Sequence, residues 1–172
     1  APATARPLPN ILVIVTDDQP KGTLDAMPNV QQRLAGRGLT FRNGIIPTSL
    51  CCPSRASLLT GDHSHTTGVW TNKADGLGAW PAFHAGAEAD TRASRLDAVG
   101  YDTGLYGKYL NGFQQNAEPG YVPPGWDTFR VFAGEGEKVG LYYDYRLTGD
   151  PKLYGSRPED YSTNVLGQLA VD

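Results

Sequence analysis

The sequence is poor in the features that would place it in a special class. It has two cysteines among 172 residues, and they are adjacent, so they cannot build a disulfide framework and do not report the redox compartment. It contains no Asn-x-Ser/Thr acceptor, which counts mildly against a glycosylated secretory protein. Net charge is −3 with no cluster of lysine and arginine, so the electrostatic footprint of a nucleic-acid-binding protein is missing. No apolar run approaches a membrane span; Ile11 to Val15 is only strand-sized. There is no initiator methionine. The opening Ala1-Pro2-Ala3 is read as following a removed segment such as a signal peptide, with a secreted or periplasmic location expected. What is present, 40% hydrophobic and 19% charged residues, describes a globular chain with enough length for one domain and a core.

After a Pro-rich lead-in over residues 1–9, Asn10 to Thr16 is a continuous apolar, largely β-branched run. It predicts a central strand buried on both faces and ending at Asp17-Asp18. Met27 to Arg37 places Val30 and Leu34 at helical spacing, and Leu39 to Ile46 reads as a second strand interrupted by Gly44. A helix is expected from Pro53 to Thr60. Residues 62–90, with breaks at Gly76, Gly78 and Pro81, read as an irregular loop near a site, as do residues 112–128. Thr91 to Val99 predicts a helix stopped by Gly100, and Tyr101 to Tyr109 a strand with Lys108 at its end. Leu141 to Leu147 followed by Thr148-Gly149-Asp150 predicts a hairpin arm, and a last helix opens at Pro158 and runs on to Asp172 without a stop. Strands interleaved with helices give an α/β sheet with helices on both faces. Ligands of such sheets sit beyond the carboxyl ends of the strands, where Asp17, Asp18 and Lys108 fall.

The most informative stretch is Cys51-Cys52-Pro53-Ser54-Arg55-Ala56-Ser57-Leu58-Leu59-Thr60-Gly61. Proline suits the first helical position because the N–H it lacks is not needed there, and Gly61 is a natural stop. Cys51 then lies where unpaired N–H groups and the positive end of the helix dipole converge, and Arg55, four residues on, shares its face. That combination favours an anionic ligand. The pattern Cys51-x-Pro53-Ser54-Arg55-x-x-x-Leu59-Thr60-Gly61 resembles the signature of the type I sulfatases. The doubled cysteine and Gly107-Lys108-Tyr109-Leu110-Asn111 resemble most the glucosamine-6-sulfatase and heparan-sulfatase branch.

The resemblance implies an alkaline-phosphatase-like α/β/α sandwich with a mixed, mostly parallel sheet. It makes residues 1–172 the N-terminal portion of a catalytic domain that is completed further along. It implies that a formylglycine-generating enzyme converts Cys51 to formylglycine, whose hydrate attacks the sulfur of a sulfate monoester on a glycan, an amino sugar or another small molecule. It implies Ca2+, or Mg2+, held by Asp17, Asp18 and the modified Cys51, with Arg55 and Lys108 steadying the anion. His65, Asn72 and Asn111 become substrate contacts beside Lys108. Many sulfatases carry histidine two residues after that lysine; this chain has Leu110. Because two carboxylates do not complete a Ca2+ shell of about six to eight oxygens, the 172-residue piece alone is expected to be inactive.

Other readings of the same residues stay open at this level. Asp17-Asp18 is also a solvated turn with Asp18 capping the next helix. Arg55 and Lys108 are also ordinary surface cations, His63 is a surface residue, and Asn72 is also a turn asparagine. His84 has no assigned role. Cys52 reads as a buried filler, and Trp126 with Tyr142, Tyr143 and Tyr145 as packing. Two alternatives to a sulfatase follow: a phosphate or phosphonate monoester hydrolase on the same scaffold, and a catalytically incomplete domain that binds a glycan or a partner.

Overall fold

The computed structural model describes residues 8–133 and 142–172, so Leu141 of the expected hairpin arm lies outside the described residues, as does most of the lead-in. The chain divides into two compact units, Ala1–Gly44 and Ile45–Asp172.

In the first unit a short helix α1 (Pro28–Val30) runs directly into a π-helical stretch, Gln31–Ala35, as the Val30 and Leu34 spacing predicts. The two strands expected here do not form. Residues 10–16 carry no ladder, and Leu12 is 80% exposed. A strand becomes a strand only when a neighbour takes its N–H and C=O groups, and within this unit no described segment does so. Residues 39–46 are likewise exposed and break at a turn over Arg42 and Asn43, just before Gly44. The Asn-Gly pair favours a turn over an uninterrupted strand.

The second unit holds the core. Its elements in order are α2 (Cys51–Thr60), α3 (Ser64–Thr67), α4 (Ala79–Gly86), α5 (Arg92–Asp97), β1 (Gly104–Gly107), α6 (Phe113–Asn116), β2 (Thr128–Ala133), β3 (Tyr145–Leu147), β4 (Leu153–Tyr154) and α7 (Ser162–Leu169). The sheet runs β1-β2-β3-β4, parallel between β1 and β2 and antiparallel thereafter. The expected hairpin is β3 and β4, joined through Thr148-Gly149-Asp150. Alternation along β2 sorts its side chains to two faces. Phe129 and Val131 join one cluster with Cys52, Ala56, Trp80, Phe83, Tyr109, Leu110 and Phe113. Phe132 joins the other with Tyr145, Leu147 and Tyr154, closed by Val165, Leu166 and Leu169 of α7. The sheet is thus covered on both sides, the α/β layering that the interleaved pattern predicts.

The region 62–90 is more ordered than its glycines suggest. It contains α3 and α4, and α4 buries Trp80 and Phe83. Between them residues 71–78 form a closed loop, with a bridge between Thr71 and Gly78 and a bond from Ala79 N–H to Thr71 C=O of 2.8 Å. Gly78 is required there, because a Cβ would collide with Thr71. The expected loop 112–128 contains α6, whose Phe113 is buried. Helix α5 starts at a capping box in which Thr91 and Ser94 exchange backbone and side-chain bonds. Tyr142 and Tyr143 are largely exposed and pack on Tyr161, whereas Tyr145 is buried.

Candidate active site

Helix α2 begins two residues earlier than proline placement predicts. Leu50 is its N-cap, Cys51 is the first helical residue and Pro53 the third. All first-turn N–H groups lack an intrahelical acceptor, so proline is tolerated at the third position for the same reason as at the first. Cys51 therefore lies inside the first turn, half-buried. Gly61 ends the helix in the left-handed conformation at φ 87°, as expected. The Cys52 N–H, another first-turn donor, is satisfied by Asn72 Oδ1 at 2.8 Å. Asn72 thus reaches α2 from the closed 71–78 loop and caps the turn that bears Cys51.

Lys108 follows β1 directly, after Gly107, whose φ of 117° is a conformation L side chains rarely adopt. The backbone from Lys108 to Asn111 is tied at several points. Arg55 Nη1 donates to Lys108 C=O at 2.7 Å, which joins the signature helix to the strand end. The Asn111 N–H donates to Cys52 Sγ at 3.0 Å, and the Cys52 thiol lies 3.5 Å from Asn111 Oδ1. Trp80 N–H donates to Asn111 C=O at 2.8 Å. Leu110 is 4% exposed and packs in the core, so nothing at that position can exchange protons with a ligand.

The two cysteines differ sharply. Cys51 is partly exposed, whereas Cys52 is fully buried. Burial pushes the Cys52 thiol up to about 11, against the lowering effect of its Asn111 backbone bond, and the neighbouring Cys51 adds to the rise. Cys52 is thus more than filler: as a neutral thiol it accepts from one atom of Asn111 and donates toward another.

His63 and His65 are exposed on and beside α3 with their rings stacked at 5.8 Å. Among the described residues neither belongs to a group of three metal-type ligands. In the first unit, Asp17 and Asp18 are both exposed at the end of the apolar run, and Asp18 holds a left-handed backbone with φ 51°. Their hard oxygen donors match Ca2+ or Mg2+ and not a thiophilic metal.

One cluster was missed by sequence reasoning. Glu88, 2% exposed, accepts from Trp80 Nε1 at 2.7 Å and Tyr109 OH at 2.9 Å on one oxygen. Its other oxygen meets Tyr121 OH and His84 Nδ1, each at 2.6 Å. Burial and the Glu88 charge hold the Tyr109 and Tyr121 hydroxyls well above the usual tyrosine range, so both remain donors. The available signal was His84 and Glu88 four residues apart, with Trp80 four before that: one face of a helix.

An arginine bonded to the backbone at a strand end, the lysine at that strand end and a cysteine at a helix start are thus collected on an α/β scaffold. Comparison with known proteins supplies the family. The Sulfatase family profile matches residues 9–172. The chain is 42% identical to the extracellular sulfatase SULF-1 homolog of Drosophila melanogaster over 95% of its own length and 14% of that protein. It is 33% identical to the human N-acetylglucosamine-6-sulfatase over 95% of itself and 30% of that protein. It is 30% identical to the Volvox carteri arylsulfatase over 98% of itself and 26% of that protein. The chain belongs to the sulfatase family, and its architecture is that family's alkaline-phosphatase-like α/β fold. It spans less than a third of the length of these relatives. No solved structure gives a significant match. No helix among the described residues is long and apolar enough to cross a membrane.

Proposed function

We propose that the chain carries the nucleophile-bearing part of a sulfuric ester hydrolase acting on a sulfate monoester of a glycan or amino sugar. The observation that carries this reading is the bond from Arg55 Nη1 to Lys108 C=O, which fixes the helix of Cys51 to the strand end bearing Lys108. The Arg55 side chain and the Lys108 backbone are thereby joined in the unit that also bears the partly exposed Cys51, which supports a shared role for the three. Arginine and lysine side chains are both suited to oxygens that carry negative charge before and during S–O cleavage.

In this reading a formylglycine-generating enzyme converts Cys51, and the aldehyde hydrate offers one hydroxyl to attack sulfur and a second whose deprotonation later expels sulfate. Lys108 contacts sulfate oxygens, Arg55 holds the modified side chain and Asn111 and His65 face the sugar. Asn72 acts by holding the first turn of α2 through Cys52 N–H. Asp17, Asp18 and the modified Cys51 are the groups that would hold Ca2+. When bound, the ion supplies positive charge against the ester and the hydrate. The names of the extracellular relatives support export to the cell exterior or periplasm.

Peptide mass spectrometry on the Cys51 segment of the active enzyme tests the proposal, with formylglycine in place of cysteine as the expected result. Fully active enzyme with an unmodified Cys51 thiol would end it. Turnover of an aryl sulfate against the matching aryl phosphate separates the sulfatase from the phosphate or phosphonate monoester hydrolase, with faster sulfate cleavage expected. A domain that binds Ca2+ and hydrolyses neither ester would instead be a binding module.

A further inference from the structure

We infer that Glu88 is a positioning residue for the segment Lys108–Asn111, acting through Tyr109 and Trp80. This rests on the sulfatase reading for its meaning in catalysis, but its geometry stands independently.

A carboxylate has about four acceptor positions, and in Glu88 all are taken by Trp80, Tyr109, His84 and Tyr121. An indole N–H can only donate and the tyrosine hydroxyls can donate to the oxygens they face, so the cluster offers donors suited to a carboxylate. Burying such a charge is costly unless every lone pair is used, and here the donors come from three separate places. Trp80 and His84 belong to α4, Tyr121 to the loop after α6, and Tyr109 to the segment that begins at Lys108. Tyr109 is the one donor that belongs to the proposed anion-binding segment itself. Trp80 adds a second link, because its backbone N–H holds Asn111 C=O while its indole holds Glu88. The Tyr109 ring is locked edge-on against Phe113 and Phe129 at 5.3 and 5.2 Å. Its hydroxyl bond to Glu88 therefore fixes the rotation of a side chain whose backbone neighbour on one side is Lys108 and on the other Leu110.

The four donors provide an internal control. Tyr109→Phe and Tyr121→Phe each remove one hydroxyl from the same carboxylate, but only Tyr109 is continuous with Lys108. In an enzyme carrying this segment within a complete sulfatase-family domain, Y109F and E88Q are expected to lower kcat/KM for an aryl sulfate about 10- to 100-fold. Y121F is expected to stay within about twofold at a comparable loss of thermal stability. Hydrogen exchange should accelerate in the peptide covering Lys108 to Gly112 in E88Q and Y109F, and not in Y121F. Equal losses of kcat/KM in Y109F and Y121F, or unchanged exchange over that peptide in E88Q and Y109F, would overturn the assignment. If the parent enzyme turns over no sulfate ester, the functional reading falls and the exchange measurement alone decides the role of Glu88.

Discussion

The two segments that the family resemblance brings to one site are built in opposite ways. Lys108 to Asn111 is tied to Arg55, Cys52, Trp80 and Glu88, with Tyr109 and Leu110 buried. The run Ile11 to Val15, which leads to Asp17 and Asp18, is at least half exposed at every residue and has no ladder. The first segment is specified by neighbours within about sixty residues of sequence, all of them in its own unit. The second is specified only by its composition, and a strand needs partners before composition becomes structure. Hydrogen bonds and burial hold the first segment, whereas among the described residues no ladder holds the second.

The sharpest break between the halves is chemical. Cys51→Ala is expected to reduce sulfate-ester turnover by at least about a thousandfold in the complete enzyme, with little change in thermal midpoint, because it removes the proposed nucleophile from a partly exposed position. Steady-state kinetics beside a melting curve checks both parts. Phe83→Ala, in the core that supports Tyr109, should cost about 3–5 kcal/mol by denaturant titration. Alkaline pH should weaken the same region. The Cys52 thiol is raised from 9.0 to about 11, so the folded state keeps a proton that the unfolded state gives up. Its contribution is intact below pH 9 and is lost as pH rises toward 11, at about 1.4 kcal/mol per pH unit. Urea titrations across that window, compared with Cys52→Ala, isolate it. Ile14→Thr in the described chain should shift stability by no more than about 0.5 kcal/mol, because its side chain is already exposed. A large loss there would mean that the run is buried in solution and would erase the contrast.

What the sequence disclosed follows the same division. The helix of Cys51, the stop at Gly61, the helix that follows Thr91 and the strand just before Lys108 were legible because each is written in a few consecutive residues. The start of α2 was misplaced by two residues because proline is tolerated through the whole first turn. Helix α4 was hidden by its flanking glycines, although Trp80 and Phe83 supply its buried face. The strands expected at residues 10–16 and 39–46 are the failures that matter, since apolar residues alone do not say which ladder they join. Glu88 was missed for another reason. Its spacing from Trp80 and His84 hints at a shared face, but the burial comes only when Tyr109 and Tyr121 converge on it from elsewhere in the chain.

The fate of Cys52 has a consequence for how such a protein is made. Vicinal thiols invite an eight-membered ring disulfide whenever both sulfurs face an oxidant. Here the second sulfur is locked against the Asn111 amide inside the core, neutral and out of solvent. In the folded turn only the Cys51 thiol is partly exposed, so an oxidant that reaches this turn meets one sulfur of the pair and not both.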